Sequence, residues 1–274
     1  MKHVYEEYDL YKIIYGREPE FKLFDVAVFS SILDYYQSLL ERQIDFNILE
    51  PFAGKSEHKD FWKYFPQHSI LSYKTMDIIP NDNPDVICDD IKTATFIDIN
   101  MVVAYYYSLR FVKDENGNHS DQAMTQMFRN LYKNLAPTKG ACIFHIGVPT
   151  NLLTSTLVNI FVPFDSPLYK TYNKEPFKYE LYIEGFMKTK YSHENKTYTD
   201  YLDLTLVDSD ENIVQKLDLA PFSYRQWEAD EIIEIAKSQG FETIGFNSTM
   251  FGHTHTSDYK QDDNNITELL CYIP

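Results

Sequence analysis

The residues best suited to chemistry surround one short turn. Ile48-Leu49-Glu50 closes an apolar run in an acid, and Pro51-Phe52-Ala53-Gly54-Lys55-Ser56 then turns through small residues toward a helical stretch expected from Glu57 onward. A strand that ends this way aims backbone N–H groups and a helix N-terminus at one spot, and glycine permits both positive φ and close approach of a ligand. Such a turn suits a nucleoside with a polar tail, although glycine-containing turns also serve packing alone. Acids recur where other short apolar runs stop. A run over 69–76 ends at Asp77, and one over 85–88 ends at Asp89-Asp90, followed by Ile91; a fourth, 97–103, ends at Ala104-Tyr105. Acidic residues thus cluster at strand ends. His145 closes a fifth run, 141–146, and is a candidate base near the same edge; the competing reading is a satisfied core histidine.

These runs alternate with helical patterns. Over 25–42, Val26, Phe29, Ile32, Leu33, Tyr36, Leu39 and Leu40 recur at three- and four-residue steps, and over 121–135 Ala123, Met124, Met127, Phe128, Leu131 and Leu135 do the same before Pro137. Strand and helix in alternation imply an α/β fold: a mostly parallel sheet with helices on both faces and ligands at the carboxyl edge of its strands. The pattern then changes. Segments 179–190, 197–207 and 213–219 alternate apolar with polar residues, as antiparallel strands do, and predict a β-rich cap inserted after the fifth strand. A helix over 227–238, stopped by Gly240, and strands over 241–248 and 267–273 return the chain to the main sheet. The expected division is an N-terminal lid and helix (1–45), a ligand-binding core (46–150), the cap (151–221) and a closing helix with strands (222–274).

Charge narrows the partners. The 274 residues carry 41 acids against 25 bases, a formal charge of −16 with no basic run to reverse it locally, which disfavours nucleic acid. Twenty-two Tyr and 19 Phe against only 9 Gly favour an aromatic-lined site. Cys88, Cys142 and Cys271 show no paired spacing and read as free thiols of a reducing compartment. No segment has the apolar length of a signal peptide or a spanning helix, so a cytoplasmic chain without membrane contact is expected. His253, His255 and Asp258 share one polar loop and lack the convergence of separate elements that a zinc site needs, so no metal is expected.

The stretch from Ile48 to His58 resembles the first motif of class I (Rossmann-like) S-adenosylmethionine-dependent methyltransferases, an acid followed by a glycine turn. Further segments are similar in the same order. Asp77 falls where the family has an acid for the ribose hydroxyls, and Asp89-Asp90-Ile91 where an acid and the next amide meet adenine. Ala104-Tyr105 falls beside the methionine moiety, Leu131 to Gly140 resembles the helix end before the fifth strand, and Phe222 to Phe246 the closing helix with its Gly-Phe end. Ser56 stands where a second glycine is usual. The resemblance implies S-adenosyl-L-methionine as cofactor, held by Glu50, Phe52, Ala53, Gly54, His58, Met76, Asp77, Asp89, Asp90, Ile91, Ala104 and Tyr105, with Tyr8 and Tyr11 of an N-terminal Tyr-Asp-x-x-Tyr segment folding over it as a lid. The cap resembles the acceptor-covering sheet of glycine-type and amino-sugar N-methyltransferases. It implies a small-molecule acceptor such as an amine, an amino sugar or a natural-product intermediate, methylated at N or O, and a homodimer. A catalytically degenerate scaffold, motivated by Ser56, and a protein side-chain methyltransferase, motivated by the acidic surface, remain open at this point.

Overall fold

The structure is a computed structural model that describes residues 2–3, 19–53, 58–78, 86–105, 108–146, 155–164, 166–172, 180–247 and 266–274. It forms two compact units, Met1–Glu18 with Thr150–Gln226, and Pro19–Pro149 with Trp227–Pro274.

The second of these begins with helix α1, Pro19–Leu39, whose first residue is a proline, tolerated there because the missing N–H would have no helical partner. Five strands follow: β1 (Phe46–Pro51), β2 (Ile70–Asp77), β3 (Val86–Cys88), β4 (Met101–Ala104) and β5 (Ala141–His145). All five are parallel, in the spatial order β3-β2-β1-β4-β5. Helix α2, Asp121–Leu135, starts on Ser120, whose hydroxyl accepts the Ala123 N–H at 3.2 Å. Two expectations shift. The helix expected from Glu57 is, among the described residues, a 3-10 turn, Lys59–Tyr64; Phe65 precedes Pro66 and leaves helical geometry there. The fourth strand begins at Met101 and not at Ile97, because Asp98 adopts φ +61° and Ile97 is exposed. Gly140, at the entry to β5, would place a Cβ 2.6 Å from the Asn100 carbonyl oxygen, backbone that cannot give way. Gly140→Ala is expected to cost about 2 kcal/mol in urea-induced unfolding.

The inserted unit is antiparallel. Strands β6 (Ser155–Phe161), β7 (Leu181–Ser192), β8 (Thr197–Asp208) and β9 (Ile213–Leu217) pair in sequence order, with α3 (Pro167–Tyr172) between the first two. A short strand β10 (Leu219–Ala220) pairs with the two-residue strand Lys2–His3, and β11 (Phe222–Arg225) pairs with β8. Val158, Leu181, Ile183, Leu204, Leu206 and Phe222 form this unit's own core.

Helix α4, Ala229–Ser238, opens on a reciprocal cap in which the Glu228 N–H donates to the Glu231 carboxylate at 3.1 Å. Strands β12 (Glu242–Phe246) and β13 (Glu268–Tyr272) then complete the main sheet. β13 runs antiparallel to β5, and β12 antiparallel to β13, giving the seven-stranded order β12-β13-β5-β4-β1-β2-β3. Strand residues alternate between two cores. Leu49, Met76, Val102 and Phe144 pack under α2 and α4 on one face. Ile48, Val103 and Ile143 pack under Val26, Phe29, Ile32 and Leu33 of α1 on the other. Helices therefore cover both faces, and among the described residues none is long and apolar enough to cross a membrane.

Candidate functional site at the carboxyl edge of the sheet

The chain runs outward from β1 to β3, returns past β1, and continues outward from β4 on the other side. Loops leaving β1 and β4 diverge, and the crevice opened between them is where α/β sheets bind ligands. Glu50, Asp77 and the Asp89-Asp90 pair end or follow β1, β2 and β3, so the acids lie in a row along three adjacent strands beside that crevice. Ala104 and Tyr105 end and follow β4 on its other side. The row is tied by backbone: the Ala53 N–H donates to Met76 O at 3.0 Å, and the Asp89 N–H to Asp77 O at 3.1 Å. Asp90 accepts the Lys92 backbone N–H at 2.9 Å and pairs with the Lys92 ammonium at 2.9 Å, which fixes the turn after β3. Met76 and Ile91 are buried beneath it in the α2-side core. Phe52, the second residue past Glu50, sits at φ +60°, a left-handed conformation rare for a bulky residue and concentrated at functional turns.

Glu50 does not face solvent. Only 2% exposed, it accepts from Tyr73 OH at 2.8 Å on one oxygen and meets His58 Nδ1 at 2.9 Å on the other. The His58 ring stacks on Tyr105 at 4.0 Å, Tyr105 stacks in turn on Phe29 at 4.5 Å, and the Trp62 indole N–H donates to Tyr105 OH at 3.0 Å. His58 Nε2 is buried without a hydrogen bond and lies 3.8 Å from the Asp25 carboxylate of α1. The other Asp25 oxygen is 4.0 Å from His145 Nδ1, and His145 Nε2 is 3.7 Å from Glu268 of β13, which accepts from Thr267 Oγ1 at 2.6 Å. Carboxylate and imidazole thus alternate from β1 to β13, across the crevice between β1 and β4.

Burial alone would push the His58 imidazole down; the carboxylates of Glu50 and Asp25 outweigh it and bring it up to about 9. Burial drives the Tyr73 and Tyr105 hydroxyls well above their usual range, and the Glu50 charge adds to it, so both keep their protons.

The structure brings together Glu50, His58, Tyr105 and His145, and aligns Phe52, Ala53, Met76, Asp77, Asp89, Asp90, Ile91 and Ala104 along the same edge. Tyr8, Tyr11 and Gly54 lie outside the described residues, as do His253, His255 and Asp258. Among the described residues no group of His, Cys, Asp and Glu has the geometry to hold a metal ion. Asp25, Tyr73 and Glu268 were not singled out from sequence. Asp25 left a signal, an acid one turn before Phe29 on the apolar face of α1, and Glu268 opens an otherwise apolar strand. A hollow of about 240 Å³ lined by Tyr36, Arg42, Phe46, Asn100 and Lys139 lies at the opposite, amino edge, away from the strand ends that bind ligands in such sheets.

Strand order and the antiparallel β13 define the class I methyltransferase fold. No protein-family model matches the chain, and no curated protein matches its sequence. Among solved structures it is similar to CalS10 of Micromonospora echinaspora, an amino pentose methyltransferase with S-adenosylmethionine bound, at TM-score 0.62 and 10% identity, over 100% of this chain and 98% of that one. It is also similar to the sugar N-methyltransferase KedS8 of Streptoalloteichus, at 0.62 and 11%, over 97% and 92% of the two chains. DesVI of Streptomyces venezuelae matches at 0.61 and 9%, over 100% and 99%.

Proposed function

We propose that this chain is an S-adenosylmethionine-dependent methyltransferase that methylates an N or O atom of a small molecule, with an amine or amino sugar as the acceptor class. The observation that carries the reading is the row of acids on the ends of β1, β2 and β3 beside the reversal of strand order. A row of acceptors fits a ligand that presents donors: a ribose diol and the exocyclic amine of adenine. The shared fold of CalS10 and KedS8, whose names state methyl transfer to sugars, supports it.

In this reading Asp77 takes the ribose hydroxyls, Asp89, Asp90 and Ile91 border the adenine above Met76, and the turn through Phe52, Ala53 and Gly54 lines the methionine portion with Ala104 and Tyr105. The bound cofactor supplies an electrophilic methyl group for in-line displacement. The chain's task is then alignment and exclusion of water, which the stacked rings of Phe29, Tyr105 and His58 serve by rigidity. His145 is assigned the acceptor's proton, since carboxylates face both of its ring nitrogens and any proton gained there has a partner.

Isothermal titration with S-adenosylmethionine and S-adenosylhomocysteine tests this. Asp77→Ala is expected to weaken both by about ten- to a hundredfold, the loss of one or two charge-assisted hydrogen bonds, while the melting temperature stays within a few degrees. Affinity for both ligands in Asp77→Ala equal to that of the parent chain would remove the ribose assignment.

A further inference from the structure

Methyl transfer changes the charge of one cofactor atom, a sulfonium that becomes a neutral thioether, while adenosine, amine and carboxylate are the same before and after. Separating donor from spent product at that atom is therefore a matter of local charge. We propose that His58 and Glu50, at the carboxyl end of β1, form a proton-dependent selector that favours the sulfonium donor over its thioether product most strongly when His58 is neutral; this rests on the methyltransferase reading above.

Geometry gives the pair that role. It stands at the crevice edge of β1, next to the reversal point, with Tyr105 of the facing strand end stacked on the imidazole at 4.0 Å, so the ring cannot swing out to water. Its Nδ1 is engaged by Glu50 at 2.9 Å, and its buried Nε2 carries no hydrogen bond. The groups facing it are Asp25 from α1, Glu50 from β1, Tyr73 from β2 through Glu50, Tyr105 after β4, and His145 of β5 behind Asp25. Both tyrosines hold their protons, and His58 is the member of the pair that changes charge in the alkaline range, near pH 9. When it loses its proton, the Glu50 carboxylate is no longer offset and the edge gains one negative charge. At an effective dielectric near 20, a unit charge on the same edge as the cation changes affinity by on the order of tenfold. Such a charge stabilises the bound donor as well as the transition state, so the device acts on exchange of product for donor and not on the chemical step.

The test is calorimetric titration of the full chain with S-adenosylmethionine and with S-adenosylhomocysteine at pH 7.5 and 9.5, read as the ratio of the two affinities, in which ionisations common to both ligands largely cancel. Between these values the ratio in the parent chain is expected to rise about fivefold in favour of the donor, His58 being mostly deprotonated at the higher pH. His58→Gln, neutral at both, is expected to show the high ratio throughout and no rise. Binding of both ligands with a ratio that stays flat in the parent chain overturns the selector and leaves the methyltransferase reading standing. Binding of neither ligand overturns both. If His58→Gln does not fold, the parent chain's pH dependence decides alone.

Discussion

Glu50→Ala is expected to destabilise the chain by about 3–5 kcal/mol at pH 7, measured by urea unfolding, the range found when one member of a buried ion pair is removed. Two partners lose their acceptor at once: the His58 imidazole at 2.9 Å and the Tyr73 hydroxyl at 2.8 Å, in surroundings where Glu50 itself is 2% exposed. Glu50→Gln keeps the volume and one acceptor oxygen, so its loss is smaller. Its imidazole, without the Glu50 charge, is expected to titrate below the value of about 9 that it has in the parent chain, followed by the NMR shift of a labelled His58 ring. An unchanged titration in a folded Glu50→Gln chain would mean that Glu50 does not hold that proton.

Stability is expected to fall on the alkaline side. His58 titrates near 9 in the folded chain against an ordinary value of 6.5, so folding binds a proton that the unfolded chain releases between those values. The contribution is present in full below about pH 6.5 and is lost as pH rises through about 9; 2.5 units at 1.36 kcal/mol per unit make it about 3 kcal/mol. Thermal melts at pH 6.5 and 9.5 should separate by several degrees in the parent chain, and by much less in His58→Gln. Equal separation in both would assign the alkaline loss to other groups.

Much of the fold was legible because burial imposes a period. Helix α2 and strands β1, β2 and β5 lie within a residue or two of their expected bounds; α2 has one continuous apolar face, and β1 and β5 are short apolar runs buried on both faces. Strand β6 was not read: Leu157 and Phe161 are exposed while Val158 is buried, so apolar residues stand on both faces and the alternation is blurred. The strand-end acids were readable since an acid that stops an apolar run stands out. Asp25 and Glu268 were not, because Asp25 is one of several acids on α1, Glu268 opens an otherwise apolar strand, and they come from opposite ends of the chain, meeting through His145. Position on the sheet edge follows from pattern, whereas which carboxylate faces which imidazole depends on the register of β5 with β13 and on how α1 packs over the sheet.

The most direct measurement is a crystal structure of the chain grown with S-adenosylhomocysteine. Adenosine density is expected along the ends of β1, β2 and β3, with the ribose at Asp77 and the sulfur at the crevice between β1 and β4. Ligand density at the amino-edge hollow beside Arg42 and Lys139, or an edge left empty at saturating ligand, would contradict that placement.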